Sequence, residues 1–140
     1  SKKAPAARKK VTGQRARNPE EKTIVRDQIL QNAVDLYCET GYQGFRMRKL
    51  ASLAGFSPAS LYRYFDDKDM VFSGLVDLGF KRMEKKLQAV QSKDLKSYLM
   101  AFAGAYFEFA LTEQELYKLM TKEDPPTYVV LEKSTEERRR

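Results

Sequence analysis

The residues best equipped for chemistry in this chain lie between Leu50 and Phe65, LASLAGFSPASLYRYF. Ser57, Ser60, Tyr62 and Tyr64 supply hydroxyls there and Arg63 a guanidinium, with no acidic residue among them. Arg46, Arg48 and Lys49 stand just upstream. Hydroxyls and fixed cations without a carboxylate suit the holding of phosphates and the reading of base edges better than proton transfer. Bond-breaking chemistry finds little material elsewhere. The sequence has no histidine and one cysteine, Cys38. That removes Ser-His-Asp and Cys-His catalysis, an internal disulfide and most zinc geometries. No glycine-rich phosphate loop and no converging pair of acids is evident. No catalytic residue, metal ligand or cofactor is therefore assigned, and an enzyme is not expected.

The spacing around these side chains says how they are presented. Gly55 can take the positive φ that ends a helix. Ser57 is a good N-cap and Pro58 suits the first helical position. The stretch reads as a helix end, a turn and a second helix from Ser57 to Phe65. Leu61 and Phe65 point to a core, leaving Pro58, Ala59, Tyr62 and Arg63 outward. Tyr62 and Tyr64, two positions apart on a helix, cannot face the same way. Tyr62 is the expected contact and Tyr64 the expected packing residue.

The charge distribution fits a polyanionic partner. The 140 residues carry a net charge of +7. Residues 1–19 hold seven basic side chains and no acid, so the rest of the chain sums to zero. Gly41 to Phe65 keeps a local excess through Arg46, Arg48, Lys49 and Arg63. A basic tail beside a basic segment points to nucleic acid. Residues 1–18, without an apolar period, read as a disordered arm for phosphates or a minor groove. No apolar run approaches the 18 or so residues of a membrane span. The beginning of the chain lacks the apolar core of a secretory signal, so a cytoplasmic location is expected.

The elements that must position these residues are all helical. Asn18-Pro19-Glu20-Glu21 opens a helix to about Thr40, closed by Gly41, with Val25, Ile29, Ala33, Leu36 and Tyr37 on one face. A second helix runs from about Arg46 to Ala54. Asp67 caps a long helix that runs to about Gln91, in which Gly74 and Gly79 mark close packing or a bend. A fifth helix spans Asp94 to Leu111. Thr112-Glu113-Gln114-Glu115 matches a capping box for a sixth, ending near Thr121. Asp124-Pro125-Pro126 breaks the chain before a seventh, from Tyr128 to Arg140. No strand pattern and no internal repeat is visible.

Residues from about Val25 to Phe72 resemble the DNA-binding domain of TetR/AcrR-type bacterial transcription regulators. The matching pieces are Ile29-Leu30, Ala33, Leu36-Tyr37, Gly41-Tyr42, Met47-Arg48, Leu50-Ala51, Ala54-Gly55, Ser57, Leu61-Tyr62, Tyr64-Phe65, Lys68 and Phe72. Phe107 to Met120 resembles a regulatory-domain stretch of one branch of that family. The resemblance implies an all-α protein in three parts: a basic arm at 1–18, a helix-turn-helix domain at 19–72, and a helical ligand-binding and dimerisation domain at 73–140. The last part is incomplete by the family's measure, because its dimer-forming helices normally lie further along. A homodimer on a palindromic operator in double-stranded DNA is implied, repressing until a small molecule changes the spacing of the two reading heads.

Site roles also follow from the resemblance. Pro58 and Ala59 sit where side chains face bases. Ser57, Ser60, Tyr62 and Tyr64 sit where hydroxyls reach phosphates or bases, Arg63 where either contact is common, and Lys68 where a phosphate is clamped. Arg48 is a backbone candidate. Arg46 replaces a Thr or Ser that usually caps the second helix, so it can restore a phosphate contact but not the cap. Pro58 replaces a polar residue, which makes that base contact apolar. The aromatic stripe Tyr98, Phe102, Tyr106 and Phe109, with Tyr117 and Met120, can line a pocket for a small apolar ligand; an ordinary helical core explains the same stripe. A non-specific, architectural DNA binder driven by the basic arm is the alternative function.

Overall fold

The computed structural model describes residues 18–121. The basic arm at 1–17, the Asp124-Pro125-Pro126 break and the helix expected from Tyr128 lie outside the described residues. Within them are six helices and no strand. They are α1 (Pro19–Gly44), α2 (Met47–Ala54), α3 (Pro58–Leu61), α4 (Lys68–Gln88), α5 (Leu95–Thr112) and α6 (Gln114–Thr121).

Local chemistry sets the starts. The Asn18 side chain accepts the Glu21 N–H at 2.8 Å, with Pro19 at the first helical position. Asp67 accepts from Met70 at 2.8 Å and Asp94 from Ser97 at 2.9 Å. Each cap satisfies an N–H that a helix start leaves orphaned. Gly41 interrupts α1 as expected, at φ 66° and ψ −173°, but the chain makes one more turn to Gly44.

Three expectations fail, two of them for identifiable reasons. The reading helix is shorter than Ser57 to Phe65, ending at Leu61. Tyr62 to Tyr64 form turns held by Arg63 N–H to Ser60 at 3.3 Å and Tyr64 N–H to Leu61 at 2.9 Å. Phe65 N–H still reaches the Leu61 carbonyl at 3.1 Å, and its side chain is buried in the core. Thr112 does not cap α6. It is the last residue of α5, and its hydroxyl donates back to the Glu108 carbonyl at 2.7 Å. α4 likewise stops at Gln88, three residues before Gln91.

The core forms where α1, α2, α3 and α4 meet. Phe72 of α4 is fully buried and meets Tyr37, Tyr42 and Phe45 edge to face, at centroid separations of 5.3, 4.8 and 5.0 Å. Ile29, Leu36, Leu50, Leu61, Phe65, Val71 and Leu75 complete it. Leu116 and Leu119 of α6 join the same cluster. α4 runs unbroken, about 32 Å long at 1.5 Å per residue. Its glycines mark close approach rather than a bend. A Cβ at Gly74 would lie 2.8 Å from Leu30 Cδ2, and one at Gly79 would lie 2.5 Å from Met120 Sδ.

Candidate nucleic-acid interface

The turn between α2 and α3 is built by two residues. Gly55 takes φ 76°, and its N–H reaches the Ala51 and Ser52 carbonyls. Phe56 N–H returns to Ala51 at 2.8 Å, closing α2 in a Schellman-like arrangement. Ser57 then caps α3 through Ser60 N–H at 3.2 Å, and its hydroxyl also donates to Ser60 Oγ at 2.9 Å. Both serines thus hold the start of α3 together. Leu61 anchors α3 from below with no exposure.

This anchoring turns a defined set of side chains outward. Pro58, Ala59, Tyr62 and Arg63 are exposed, Tyr62 at 48%. Tyr64 is half-buried and packs edge to face on Phe56, with centroids 5.8 Å apart. The division of the two tyrosines into one outward and one packed follows the sequence reading. Arg48 and Lys49 on α2 are exposed too, and among the described residues neither they nor Arg63 is paired with a carboxylate.

Two basic residues have local duties that the sequence does not reveal. Arg46 stands in the N-cap position of α2 with no side-chain cap bond, as its residue type implies. Its guanidinium instead donates to the Gln43 carbonyl at 2.6 Å and the Phe45 carbonyl at 3.2 Å, where α1 ends without a basic residue in its last turn. A cation at a helix C-terminus satisfies orphan carbonyls and complements the dipole. Lys68 donates to the Tyr42 carbonyl, and its ammonium sits 3.9 Å from the centre of the Tyr42 ring. The Tyr42 hydroxyl donates to Asp69 at 3.0 Å. Lys68 and Asp69 together fasten the start of α4 to the end of α1.

The six residues expected around a ligand are spread over different environments. Tyr106 and Tyr117 are half-buried with hydroxyls 3.1 Å apart and rings edge to face at 5.9 Å. Phe109 and Met120 are buried. Tyr98 and Phe102 are exposed, with ring centroids 6.1 Å apart. A separate cleft of about 320 Å³ lies between Val34 and Cys38 of α1 and the Leu111–Leu116 turn. Burial and the nearby Glu115, Asp35 and Glu113 carboxylates push the Cys38 thiol up from its ordinary range. Beside this cleft Arg82 of α4 donates to Gln31 of α1 at 2.7 Å and to Glu113 at 3.0 and 3.1 Å. Nothing in the local sequence around Arg82 signals that link.

The helix-turn-helix and the α4 that carries it match known proteins. Residues 29–75 fit the family model described as bacterial regulatory proteins, tetR family. The chain belongs to the TetR family. It is 30% identical over 113 residues to the biofilm operon icaADBC HTH-type negative transcriptional regulator IcaR of Staphylococcus aureus (strain Newman), covering 81% of this chain and 56% of IcaR. It is also 30% identical over 103 residues to the nucleoid occlusion factor SlmA of Photobacterium profundum, covering 71% of this chain and 53% of SlmA. The chain therefore spans about half the length of these curated relatives. In structure it is similar to regulatory protein SCO4313, with a TM-score of 0.67 and 25% identity over 85% of this chain and 60% of that one. The TetR family regulator PfmR from Thermus thermophilus shares the fold, with a TM-score of 0.59 and 24% identity over 79% of this chain and 63% of PfmR. The all-α TetR architecture expected from the sequence is thus the observed one. Among the described residues no helix is long and apolar enough to cross a membrane.

Proposed function

We propose that this TetR-family chain is a sequence-specific DNA-binding repressor. It acts as a homodimer on a near-palindromic operator and is released by a small apolar ligand. The observation that carries the reading is the outward set on α2 and α3: Pro58, Ala59, Tyr62 and Arg63 exposed above a buried Leu61, with Arg48 and Lys49 free of carboxylates. Fixed α3 side chains read bases while the cations hold phosphates. The exposed Pro58 and Ala59 offer apolar contact, as to a thymine methyl. That IcaR is a negative transcriptional regulator supports repression. Residues 19–72 form the reading domain and residues 73–140 the regulatory one, α4 running through the boundary. The Arg82 bridge to Gln31 and Glu113 supports a route from the α5–α6 layer to the head.

Selection on random duplex DNA at moderate salt tests this. The expected product is a motif of two half-sites about 34 Å apart, one helical turn. Absence of any enriched motif overturns the reading. Arg63→Ala is expected to relax specificity, and Arg48→Ala, at an exposed cation of α2, to weaken all sequences alike. The uneven charge supports a second reading, an architectural binder driven by the seven basic residues of the tail. Deleting residues 1–17 separates the two. Weaker binding with an intact motif supports the first, and loss of all affinity supports the second.

A further inference from the structure

The end of α1 draws its donors from other elements. A helix leaves its last carbonyls orphaned, and the last turn of α1 contains no basic residue. The Thr40 hydroxyl donates to the Gly41 carbonyl at 3.1 Å. The Tyr42 carbonyl takes Phe45 N–H at 3.2 Å and the Lys68 ammonium from the first residue of α4. The Gln43 and Phe45 carbonyls take the guanidinium of Arg46, the N-cap residue of α2. The run 42–46 is thus the joint at which α1, α2 and α4 meet. Lys68 and its neighbour grip Tyr42 there from both ends. The ammonium lies 3.9 Å from the centre of the Tyr42 ring and 6.0 Å from that of Phe72, while Asp69 accepts the Tyr42 hydroxyl at 3.0 Å. Lys68 is half-buried, whereas Arg48, Lys49 and Arg63 are exposed. Asp66, Asp67 and Asp69 also stand beside it in the chain. A phosphate drawn to this ammonium would approach three carboxylates as well, and would take the ammonium from a carbonyl and a ring.

We propose that Lys68 is a positioning residue of the reading head and not a phosphate ligand: it acts through Tyr42, locking the joint at the end of α1 to the start of α4. The pose of α2 and α3 follows from that lock, because Arg46 ties the start of α2 to the same joint. The role rests on the DNA reading above and divides its cations into two kinds. Arg48, Lys49 and Arg63 face outward for phosphates and bases. Lys68 faces inward and decides the angle at which they arrive. A charge that binds no phosphate releases no counterion when DNA binds, so its removal leaves the salt dependence of binding in place. A misplaced α3 instead loses its advantage on the right sequence, while phosphate attraction to any duplex persists.

Two measurements on the full 140-residue chain test the role, both well below the melting temperature of each variant. The first is binding to the selected motif and to random duplex over a range of salt. Lys68→Met should lower the ratio of the two affinities on the order of tenfold, the loss of about one base contact, with the salt slope unchanged. Arg48→Ala, the reference, should lower the slope by about one and leave the ratio alone. Lys68→Arg should restore the ratio, since a guanidinium can donate to the same carbonyl and stack on the same ring. Tyr42→Phe removes no charge, keeps the ring and loses only the bond to Asp69; it should lower the ratio in the same direction, and it serves if Lys68→Met does not fold. The second measurement needs no DNA. Spin labels at Ala59→Cys and Lys85→Cys, both exposed positions, in a Cys38→Ser background report the distance from α3 to the far part of α4. Lys68→Met should broaden that distance distribution and Lys68→Arg should narrow it again. A slope that falls by about one with the ratio intact would make Lys68 a phosphate ligand and overturn the proposal. So would a lower melting temperature with ratio and distances unchanged. A parent that enriches no motif overturns the DNA reading, while the label distances still decide whether Lys68 fixes the pose of α3.

Discussion

The helix-turn-helix head of this chain and its α5 treat apolar residues in opposite ways. In the head, from α1 to the first half of α4, almost every large apolar side chain is enclosed, and Phe72 alone touches three other rings. Ile24, Leu53 and Tyr62 are its notable exposed exceptions. In α5, by contrast, Leu95, Leu99, Met100, Phe107 and Leu111 stand open and only Phe109 is buried. A helix apolar on all sides belongs inside something larger. The head is enclosed by its own residues, whereas the described residues leave the first half of α5 uncovered.

Five substitutions break or sharpen that contrast. The largest effect is expected from Phe72→Ala, which empties the centre of the head and should cost about 3–5 kcal/mol. Urea denaturation reads it, and a loss below 1 kcal/mol would show that the head is not one packed unit. Next comes Arg82→Ala at the seam between the two regions. It leaves Gln31 and Glu113 without their donor, at about 1–2 kcal/mol, since the Arg82 and Glu113 side chains are mostly shielded from water. Hydrogen exchange should quicken at the α5–α6 turn and leave the Phe72 cluster protected; equal quickening in both would erase the seam. Ser57→Ala should cost about 1 kcal/mol by removing the α3 cap. Its melting curve should match that of Asp67→Ala, where α4 loses a comparable cap. Tyr62→Ala should move stability by less than about 0.5 kcal/mol, because the side chain is half in water and packs on no ring among the described residues. Its effect belongs to DNA affinity, and a large drop in melting temperature would place Tyr62 in the core instead.

The parts of this fold that were legible in the sequence are those governed by neighbours along the chain. Asn18, Ser57 and Asp67 each cap the helix they precede, because a cap needs only a side-chain oxygen and an N–H two or three residues on. Gly41 and Gly55 take the positive φ that their positions require. Thr112 shows where local pattern misleads. Its hydroxyl had a carbonyl one turn back to bond, and α5 kept it. The end of α3 was hidden for a different reason. Nothing in Tyr62–Tyr64 forbids a helix; the burial of Phe65 decides, and that depends on residues far away in sequence. Arg46 and Lys68 are the clearest case at the candidate site. Counted by charge alone, both belong to DNA. Each is tied to carbonyls at the end of α1, Arg46 to its near neighbours Gln43 and Phe45, and Lys68 through geometry that exists only once α1 and α4 have met.

The fastening of Lys68 and Asp69 to Tyr42 has a mechanical consequence. With the start of α4 held to α1 by an ammonium, a ring and a carboxylate, the helix works as a crank welded to the head. A tilt of about 5° applied at the Gln88 end swings the other end of a rod of about 32 Å by roughly 3 Å. That is close to the rise of one base pair, so on the function proposed above a small leverage at α5 and α6 would be enough to put α3 out of step with a DNA groove.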